Sequence, residues 1–371
     1  MDVGRRLAEE REQRLRTAMQ QAGLQALVVA GDAWRSDYLR YAVDLTPMEG
    51  LAVALVVPGA ATRVFVEHPA EARRIAAELP GCSVGWHADP QRSALEAVAA
   101  LAFERVGLAP APAAPALLAR SLGAQAPLAT RLMDELMVRK SPLEADAVAR
   151  ATALADEGYD VFRRAAVPGK REFELIAELE AWFRSRGCAE NFMIMGSGGT
   201  EVRTMRPPGD RVLQPGDLVT TELTPCVDGY YAQICRTRVI GEPTAVQRAA
   251  YAVFEQALDA GIAAVRPGAT HGDVARAQND VFRAHGLGEY VTSQYTRVRG
   301  HGMGLFVDGV HVLEDVPLVL EPDMTLIVHP NTYHPQAGYI VLGDTVRVTA
   351  DGCQVLTRTT RSLAQLSRGG S

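Results

Sequence analysis

Four short segments in the second half of the chain place polar side chains inside otherwise apolar runs. The segment VTTELTPCVDGYYAQICRT is typical of a β-hairpin, with Glu222 on one strand and Gln233 on the other. RGHGMGLF holds His301 between glycines, and LIVHPN places His329 directly after an apolar run. The fourth segment, VLGDTVRV, carries Gly343. Burying an unpaired polar group costs free energy, so these interruptions favour a functional site.

Carboxyl, amide and imidazole groups suit acid–base chemistry. A neutral imidazole exchanges protons near pH 7, and an amide N–H stabilises a developing oxyanion. The glycines that flank His301 allow close backbone approach, which favours a packed site over an exposed one. Taken singly, each residue has a structural alternative: a satisfied core histidine, a carboxylate at a solvated strand edge, or a structural amide. Their combination is what predicts a site.

The elements of the first third alternate between strand and helix. LQALVVAG, LAVALVVPG and TRVFVEH are typical of strands, and PAEARRIAAEL and SALEAVAALAFERV are typical of helices. The run GLAPAPAAPALLARSLGAQAP is rich in Ala and Pro and is expected to interrupt regular structure. This alternation predicts a small α/β domain that ends near residue 135.

The remainder separates its helices from its strands. One long helical stretch is expected over RLMDELMVRKSPLEADAVARATALADEGYDVFRRA, with an entry cap formed by Ser141, Pro142 and Glu144, and a second helix is expected at 171–187. We expect hairpin strands at 217–240, helices at 244–265 and 271–286, and a strand-rich C-terminal part that begins at YVTSQYTRVRGHGMG. Segregated elements predict an α+β domain. The Gly- and Pro-rich loop 196–217 is expected to border a cavity.

Composition excludes several classes of protein. The chain has 371 residues, too many for one ordinary core, with 47% hydrophobic and 22% charged residues and a net charge of −6. Its basic residues are dispersed, so no nucleic-acid surface is expected. The N-terminal stretch is a charged amphipathic helix, not a signal peptide, and no apolar run reaches the length of a membrane span. We therefore expect a protein without a membrane partner.

The cysteines favour a reducing, cytoplasmic location. Five of them are scattered through the chain without a CxxC pair. Cys226 and Cys235 flank the predicted hairpin turn, where they could face one another.

The second half resembles the pita-bread fold shared by methionine aminopeptidase, aminopeptidase P, prolidase and creatinase. The resemblance rests on RKSPLEADAVARATALADEGYDVF, PGDLVTTELTPCVDGYYAQICRTRV, GHGMGL and MTLIVHPN…GYIVLGDTVRVT. The first 135 residues resemble the N-terminal domain of creatinase-type proteins. The resemblance implies an α+β protein with an α/β domain at 1–135 and a pita-bread catalytic domain at 136–371.

The resemblance also identifies the positions at which related enzymes bind metal. Metal-dependent members hold two divalent ions with Asp, Asp, His, Glu and Glu, in that order. The matching positions here are Glu222, Gln233, His301, His329 and Gly343, so only the histidine is kept. One carboxylate cannot neutralise four positive charges, and we expect no dinuclear metal and no cofactor. A single ion bound by Glu222, His301 and His329 is the alternative.

Creatinase is the metal-free precedent in this family. Its proposed base matches Met205, and its glutamates match Gln233 and His329, so creatine is not the expected substrate. We expect a metal-independent hydrolase of a non-peptide C–N bond in a small polar molecule, with elimination or isomerisation left open. Glu222, Gln233, His301 and His329 would be its catalytic residues. The alternatives are a mononuclear-metal enzyme and a non-catalytic ligand-binding protein.

Further residues are expected to contact the substrate. Asp308 occupies the second histidine position of the prolidase-type pattern GHGxGLxVHE and either binds a cationic group or serves as a turn residue. His334 either lines the mouth of the site or is an exposed loop residue. The resemblance implies a homodimer, in which Trp34 and Arg35 of GDAWRSDYLRY would reach the neighbouring subunit's pocket. Packing at the dimer interface is the alternative for Trp34.

Overall fold

The structure is a computed structural model that describes residues 3–363, apart from the side chain of Gln125. It contains two compact units. The first extends to Met137 and the second begins at Val138. Within residues 3–363, no helix is long and apolar enough to cross a membrane.

The first unit is built on a five-stranded mixed sheet. The strands lie in the order β4-β3-β2-β1-β5, with β1 antiparallel to β2 and parallel to β5. Their bounds are β1 (Ala26–Asp32), β2 (Leu51–Val56), β3 (Arg63–Val66), β4 (Ser83–Trp86) and β5 (Val106–Ala109). The helices are α1 (Val3–Gln21), α2 (Asp37–Val43), α3 (Pro69–Glu78), α4 (Pro90–Leu101), α5 (Ala116–Leu122) and α6 (Ala126–Val138).

Within the Ala- and Pro-rich run, residues 110–115 form neither strand nor α-helix, so the predicted interruption is confined to this stretch. The strand β5 and the helix α5 both lie in it. Its prolines lie between or at the ends of these elements: Pro115 caps α5, and Pro112 lies in a 3₁₀ turn. Proline is tolerated at such positions because no ladder or helix hydrogen bond is lost.

The second unit packs four long helices against antiparallel strands. The helices are α7 (Pro142–Ala165), α8 (Glu172–Arg184), α9 (Ala245–Ala264) and α10 (His271–Ala284). The strands are β6 (Asn191–Gly198), β7 (Leu218–Val227), β8 (Tyr230–Tyr231), β9 (Ile234–Val239), β10 (Gly300–Gly302), β11 (Thr325–Val328), β12 (Thr332–His334), β13 (Gly338–Ile340), β14 (Asp344–Val348) and β15 (Cys353–Val355). In one sheet β7 lies between β6 and β9, a second has the order β10-β11-β14-β15, and β12 pairs with β13.

Local sequence explains where α7 begins. Ser141 Oγ accepts a hydrogen bond from the Glu144 N–H at 3.2 Å, and the Glu144 carboxylate accepts one from the Ser141 N–H at 2.7 Å. Pro142 follows the cap, where its missing N–H leaves nothing unsatisfied. The helical stretch predicted around this cap is in fact two helices, because the chain leaves α6 at Val138 before α7 begins.

The segment before His301 contains less β-strand than the sequence predicted. Only Gly300–Gly302 forms a strand there, and Gly288–Val291 is a 3₁₀ turn. The glycines permit this short strand, since a Cβ on Gly300 would lie 2.1 Å from the Ile327 carbonyl oxygen. The glycine at position 300 therefore allows β10 to approach β11 closely.

Candidate active site

The hairpin of β7 and β9 forms one wall of a cavity of about 540 Å³. Register pairs Glu222 with Cys235, whereas Cys226 pairs with Tyr231 on β8. The two cysteines therefore do not face one another, contrary to the expectation from sequence. Gln233 lies just before β9 and lines the same cavity as Glu222.

Glu222 is a buried carboxyl group held by side-chain hydrogen bonds. Asn331 Nδ2 donates to Glu222 Oε1 at 2.7 Å, and the side chains of Cys235 and Gln233 also hydrogen-bond it. Burial raises the pKa of Glu222 to about 7, because desolvation disfavours the carboxylate more than these donors favour it. The group is thus divided between its acid and base forms near neutral pH.

His301 is a buried imidazole that lies at the cavity wall. Its Nδ1 lies 3.2 Å from the carbonyl oxygen of Gly302 and 3.6 Å from Asp308 Oδ1. Because a carbonyl oxygen only accepts, this contact assigns the proton to Nδ1 and leaves Nε2 as a lone-pair acceptor. Burial lowers the pKa of His301 below its usual value, which keeps the ring neutral at pH 7.

His329 is the second imidazole of the cavity. Its ring centroid lies 5.6 Å from that of His301, in an edge-to-face arrangement. Burial, reinforced by the neighbouring His301, lowers the pKa of His329 well below its usual range. His329 Nδ1 is buried and has no hydrogen-bond partner within residues 3–363. The site therefore holds two neutral rings side by side.

Asp308 and Arg297 form an ion pair at the edge of the cavity. Arg297 Nη1 lies 2.8 Å from Asp308 Oδ2 and 3.1 Å from His311 Nε2. Asp308 Oδ1 lies 3.5 Å from His311 Nε2 as well as 3.6 Å from His301. Asp308 is therefore not an isolated turn residue, since it is paired with Arg297 and also faces the buried ring of His301.

The side chains at these positions do not fit a pair of divalent metal ions. Gly343 has no side chain, and a Cβ placed on it would lie 2.6 Å from His329 Cβ and 2.9 Å from the Val328 carbonyl oxygen. The amide of Gln233 brings no charge to the cavity. In the described part of the chain, no group of three or more His, Cys, Asp or Glu residues is arranged to hold a metal ion.

The other predicted substrate contacts are only partly brought together. Met205 lines the cavity. His334 ends the strand β12, is half-buried and lies outside the cavity lining. Trp34 and Arg35 belong to the first unit, whereas all lining residues come from the second. The indole of Trp34 is 92% exposed within the chain.

Sequence reasoning missed three lining residues that matter for the site: Asn331, Arg297 and Arg203. Asn331 lies two residues beyond His329 in the quoted segment MTLIVHPN, and Arg297 lies four before His301 in YVTSQYTRVRGHGMG. Their polarity next to the recognised histidines was the available signal. Arg203 lies in a loop, where no periodic pattern marks a functional side chain.

Arg236 supports the sheet from behind the cavity. Its Nη2 lies 2.7 Å from Asp344 Oδ1, and its Nη1 donates to the Gly343 carbonyl oxygen at 2.7 Å. Both side chains are buried, and Arg361 approaches the other oxygen of Asp344 at 2.7 Å. This pairing fixes β9 to β14.

The antiparallel strands and long helices around this cavity form a pita-bread fold, and the overall class is mixed α and β, as the sequence predicted. The model of the metallopeptidase family M24 matches residues 146–350. The chain belongs to metallopeptidase family M24.

Solved structures share the fold along almost the whole chain. A dipeptidase PepE from Mycobacterium ulcerans superposes with a TM-score of 0.81 and 27% identity, over 98% of this chain and 99% of that one. An Xaa-Pro dipeptidase from Bacillus anthracis gives a TM-score of 0.81 with 23% identity, over 96% and 99% of the two chains. At that identity, the second comparison shows the fold alone.

Sequence relatives carry peptidase names. A probable dipeptidase PepE of Mycobacterium tuberculosis is 32% identical over 238 residues, which cover 63% of this chain and 62% of that protein. An Xaa-Pro dipeptidase of Pyrococcus furiosus is 27% identical over 235 residues, 62% of this chain and 66% of the other. The match thus spans less than two thirds of the first of these relatives.

These comparisons overturn the functional expectation from sequence. A creatinase-like hydrolase of a non-peptide C–N bond was predicted, because three of the five metal positions are substituted by residues that bring no carboxylate. The similar proteins are instead named as dipeptidases, whose reaction is at a peptide bond. The substituted positions showed that the cavity lacks the carboxylates of a dinuclear metal site. They did not identify the bond that is hydrolysed.

Proposed function

We propose that the chain hydrolyses short peptides and that the cavity of the second unit is its active site. Membership of a peptidase family and the dipeptidase names of similar proteins support this reaction class. A cavity of about 540 Å³ lies within the range typical of small-ligand sites. The observation that carries the proposal is the pairing, in one cavity, of a neutral imidazole at His301 with a carboxyl group of pKa about 7 at Glu222.

His301 is the proposed general base. With its Nδ1 proton directed to the Gly302 carbonyl oxygen, Nε2 takes a proton from water as the water oxygen bonds to the peptide carbonyl carbon. The carbonyl electron pair moves to oxygen. Asp308, 3.6 Å from Nδ1, offsets the charge of the imidazolium that forms. The amide of Gln233 is suited to hydrogen-bond the oxyanion.

Glu222 is the proposed general acid. At pH 7 about half of it is protonated, since its pKa is about 7. When the tetrahedral intermediate collapses, the C–N bond breaks and the departing amine takes the Glu222 proton. The imidazolium of His301 then returns its proton to the carboxylate of Glu222, so that one peptide and one water give one acid and one amine. Opposite pKa shifts of neighbouring groups are the usual basis for such a division of roles.

His329 is proposed to keep the base neutral and to contact the substrate. Its unpartnered Nδ1 is a polar atom that a bound peptide or water can satisfy. Two rings with centroids 5.6 Å apart disfavour double protonation, so the cavity accepts one proton at a time. No step of this mechanism passes through a metal ion, because the donor set does not fit one.

The test is peptide turnover by purified protein. A panel of dipeptides and tripeptides, including Xaa-Pro sequences, is incubated with the wild type and products are identified by mass spectrometry. His301→Gln and Glu222→Gln are expected to lose at least about 100-fold in kcat/KM, the usual contribution of a general acid or base. The matched control is His285→Gln, which changes the exposed histidine that follows the C-terminus of α10.

Two results would contradict the proposal. One is peptide binding, measured by calorimetry, without turnover under any metal condition. The other is turnover that requires two bound divalent ions per chain, measured by elemental analysis after purification and by chelation followed by metal addition. Circular dichroism of each variant separates a chemical loss from unfolding.

We further propose that the chain acts in the cytoplasm as a homodimer. Its five scattered cysteines suit a reducing compartment, and the 92% exposed indole of Trp34 is an unusual surface group that a second copy would cover. Light scattering after gel filtration is expected to give twice the chain mass for the wild type and a lower mass for Trp34→Ala. A monomeric wild type at micromolar concentration would contradict the dimer.

A further inference from the structure

We infer that Arg203 is a specificity-determining residue that binds a carboxylate of the substrate at the rim of the cavity. This inference rests on the proposed function and names the chemical class of peptide that the site takes. The carboxylate belongs either to the C-terminus of the peptide or to an acidic side chain.

Arg203 is a cation of the cavity lining without an anionic partner. No hydrogen bond or ion pair joins its guanidinium to any other side chain between residues 3 and 363. The other lining arginine, Arg297, is already paired with Asp308 at 2.8 Å. Of the two guanidinium groups that face the cavity, Arg203 is therefore the one available to an incoming anion.

The guanidinium of Arg203 is oriented by an aromatic surface. It lies 4.9 Å from the ring centroid of Tyr333, whose ring stacks at 5.9 Å on Tyr295. Tyr290 packs on both, with centroid distances of 4.9 and 5.8 Å. A contact with an aromatic ring does not consume the N–H groups of a guanidinium, and a guanidinium can bind a carboxylate with two hydrogen bonds.

The backbone around Arg203 is anchored on both sides. The Tyr339 N–H donates to the Val202 carbonyl oxygen at 3.0 Å, and the Tyr333 hydroxyl donates to the Thr200 carbonyl oxygen at 2.8 Å. Arg206 and Met195 exchange backbone hydrogen bonds of 2.9 and 3.0 Å on the other side. A side chain on a fixed segment loses less entropy when it binds, so this loop favours Arg203 as a recognition residue.

Nearby acidic groups are committed elsewhere. Glu201 accepts the Gly199 N–H at 2.9 Å and so caps its own turn. Glu222 lies in the buried part of the cavity, and Asp308 is paired with Arg297. A substrate carboxylate at Arg203 thus meets a positive charge that no described neighbour cancels.

The experiment compares three probes that differ only in where a carboxylate stands. They are alanyl-alanine, alanyl-alanine amide and alanyl-aspartate amide. Binding is measured by calorimetry in a His301→Gln background, so that the probes survive, and turnover is measured separately with the wild-type base. The variants are Arg203→Gln, Arg203→Lys and, as matched control, Arg206→Gln in the same loop but outside the cavity lining.

With Arg203 intact, at least one carboxylate probe is expected to bind about tenfold or more tightly than the neutral amide. Arg203→Gln is expected to abolish that preference, Arg203→Lys to retain part of it, and Arg206→Gln to keep it. Tighter binding of alanyl-alanine identifies the C-terminal carboxylate, and tighter binding of alanyl-aspartate amide identifies an acidic side chain.

An equal affinity for all three probes, or a preference that survives in Arg203→Gln, would overturn the inference. These outcomes are distinct from failure of the proposed function. A carboxylate preference that depends on Arg203, without turnover of any peptide, would contradict peptide hydrolysis alone. Turnover that ignores Arg203 would contradict the carboxylate site alone.

Discussion

Asn331 holds Glu222 from a neighbouring strand connection: its Nδ2 donates to Glu222 Oε1 at 2.7 Å, and both side chains are buried. The amide oxygen of Asn331 accepts the Leu342 N–H at 3.0 Å. One side chain thus ties the candidate acid of β7 to the chain segment that leads into β14. The orientation of Glu222 depends on this bridge.

Asn331→Ala is expected to lower the free energy of unfolding by about 1–3 kcal/mol, because it removes one donor to Glu222 and the side-chain acceptor of the Leu342 N–H. It should also lower peptide turnover, since Glu222 loses its support. Urea denaturation and kcat/KM measure the two effects. Gln294→Ala, at an exposed lining residue, is the control and should change stability little. An Asn331→Ala protein as stable and active as the wild type would contradict this role.

Glu222 is expected to make stability fall as pH rises. Its folded pKa of about 7 exceeds the ordinary 4.5, so the folded state binds more protons than the unfolded state between these values. The difference destabilises the fold progressively from about pH 4.5 to 7, by on the order of 2–3 kcal/mol in total. Glu222→Gln removes this titration. The free energy of unfolding of the variant should therefore rise relative to that of the wild type as the pH increases from 4.5 to 7.

Urea denaturation of wild type and Glu222→Gln at half-unit pH steps checks that expectation. Asp146→Asn, at an exposed position of α7, controls for a general loss of negative charge. A stability difference that does not vary between pH 4.5 and 7 would show that Glu222 titrates normally in the folded protein.

Peptide turnover is expected to be bell-shaped in pH. The acid limb reports protonation of His301, whose pKa burial lowers below 6.5, and the alkaline limb reports loss of the Glu222 proton near pH 7. A profile of kcat/KM from pH 5 to 9 measures both limbs. In Glu222→Gln the residual rate should lack the alkaline limb. A rate that climbs steadily to pH 9 would exclude Glu222 as the acid.

Much of the site was predictable because it rests on local sequence. The hairpin of β7 and β9, the short GHG strand and the placement of His329 follow from apolar runs interrupted by polar residues. The strong cap at Ser141 likewise marked the start of α7. These features are encoded within a few residues of the chain.

What the sequence could not provide depends on contacts between distant residues. Asn331 and Glu222 are 109 positions apart, so nothing local joins them. The sequence assigned Asp308 either to a cationic substrate group or to a turn, and it did not reveal the ion pair with Arg297. The register of β7 and β9 places Cys235 opposite Glu222. A shift of this register by one residue would change which residues face each other, and the sequence does not fix where the two strands begin.

The buried pair of Arg236 and Asp344 is expected to be essential to the fold. Arg236→Ala leaves the carboxylate of Asp344 with Arg361 alone and should cost about 3–5 kcal/mol in the free energy of unfolding. The double variant Arg236→Met/Asp344→Leu should recover part of that loss, because it also removes the buried carboxylate that has lost one of its two arginine partners. Thermal and urea denaturation compare the two. A double variant less stable than Arg236→Ala would contradict this account.

Gly343 is expected to tolerate no side chain while His329 is present. A Cβ there would lie 2.6 Å from His329 Cβ and 2.9 Å from the Val328 carbonyl oxygen, so Gly343→Ala should cost about 1–3 kcal/mol through overpacking. Gly352→Ala is the matched control, since a Cβ at Gly352 meets nothing within 4 Å. Its effect on unfolding should be small.

A double-mutant cycle isolates the contact between the two positions. In a His329→Gly background, Gly343→Ala should cost at least about 1 kcal/mol less than in the wild type, because the nearest atom has been removed. Urea denaturation of the four proteins gives the coupling energy. Strict additivity would mean that the Val328 carbonyl oxygen, not His329, excludes a side chain. A coupling of about 1 kcal/mol or more would show that the imidazole at 329 and the glycine at 343 depend on one another.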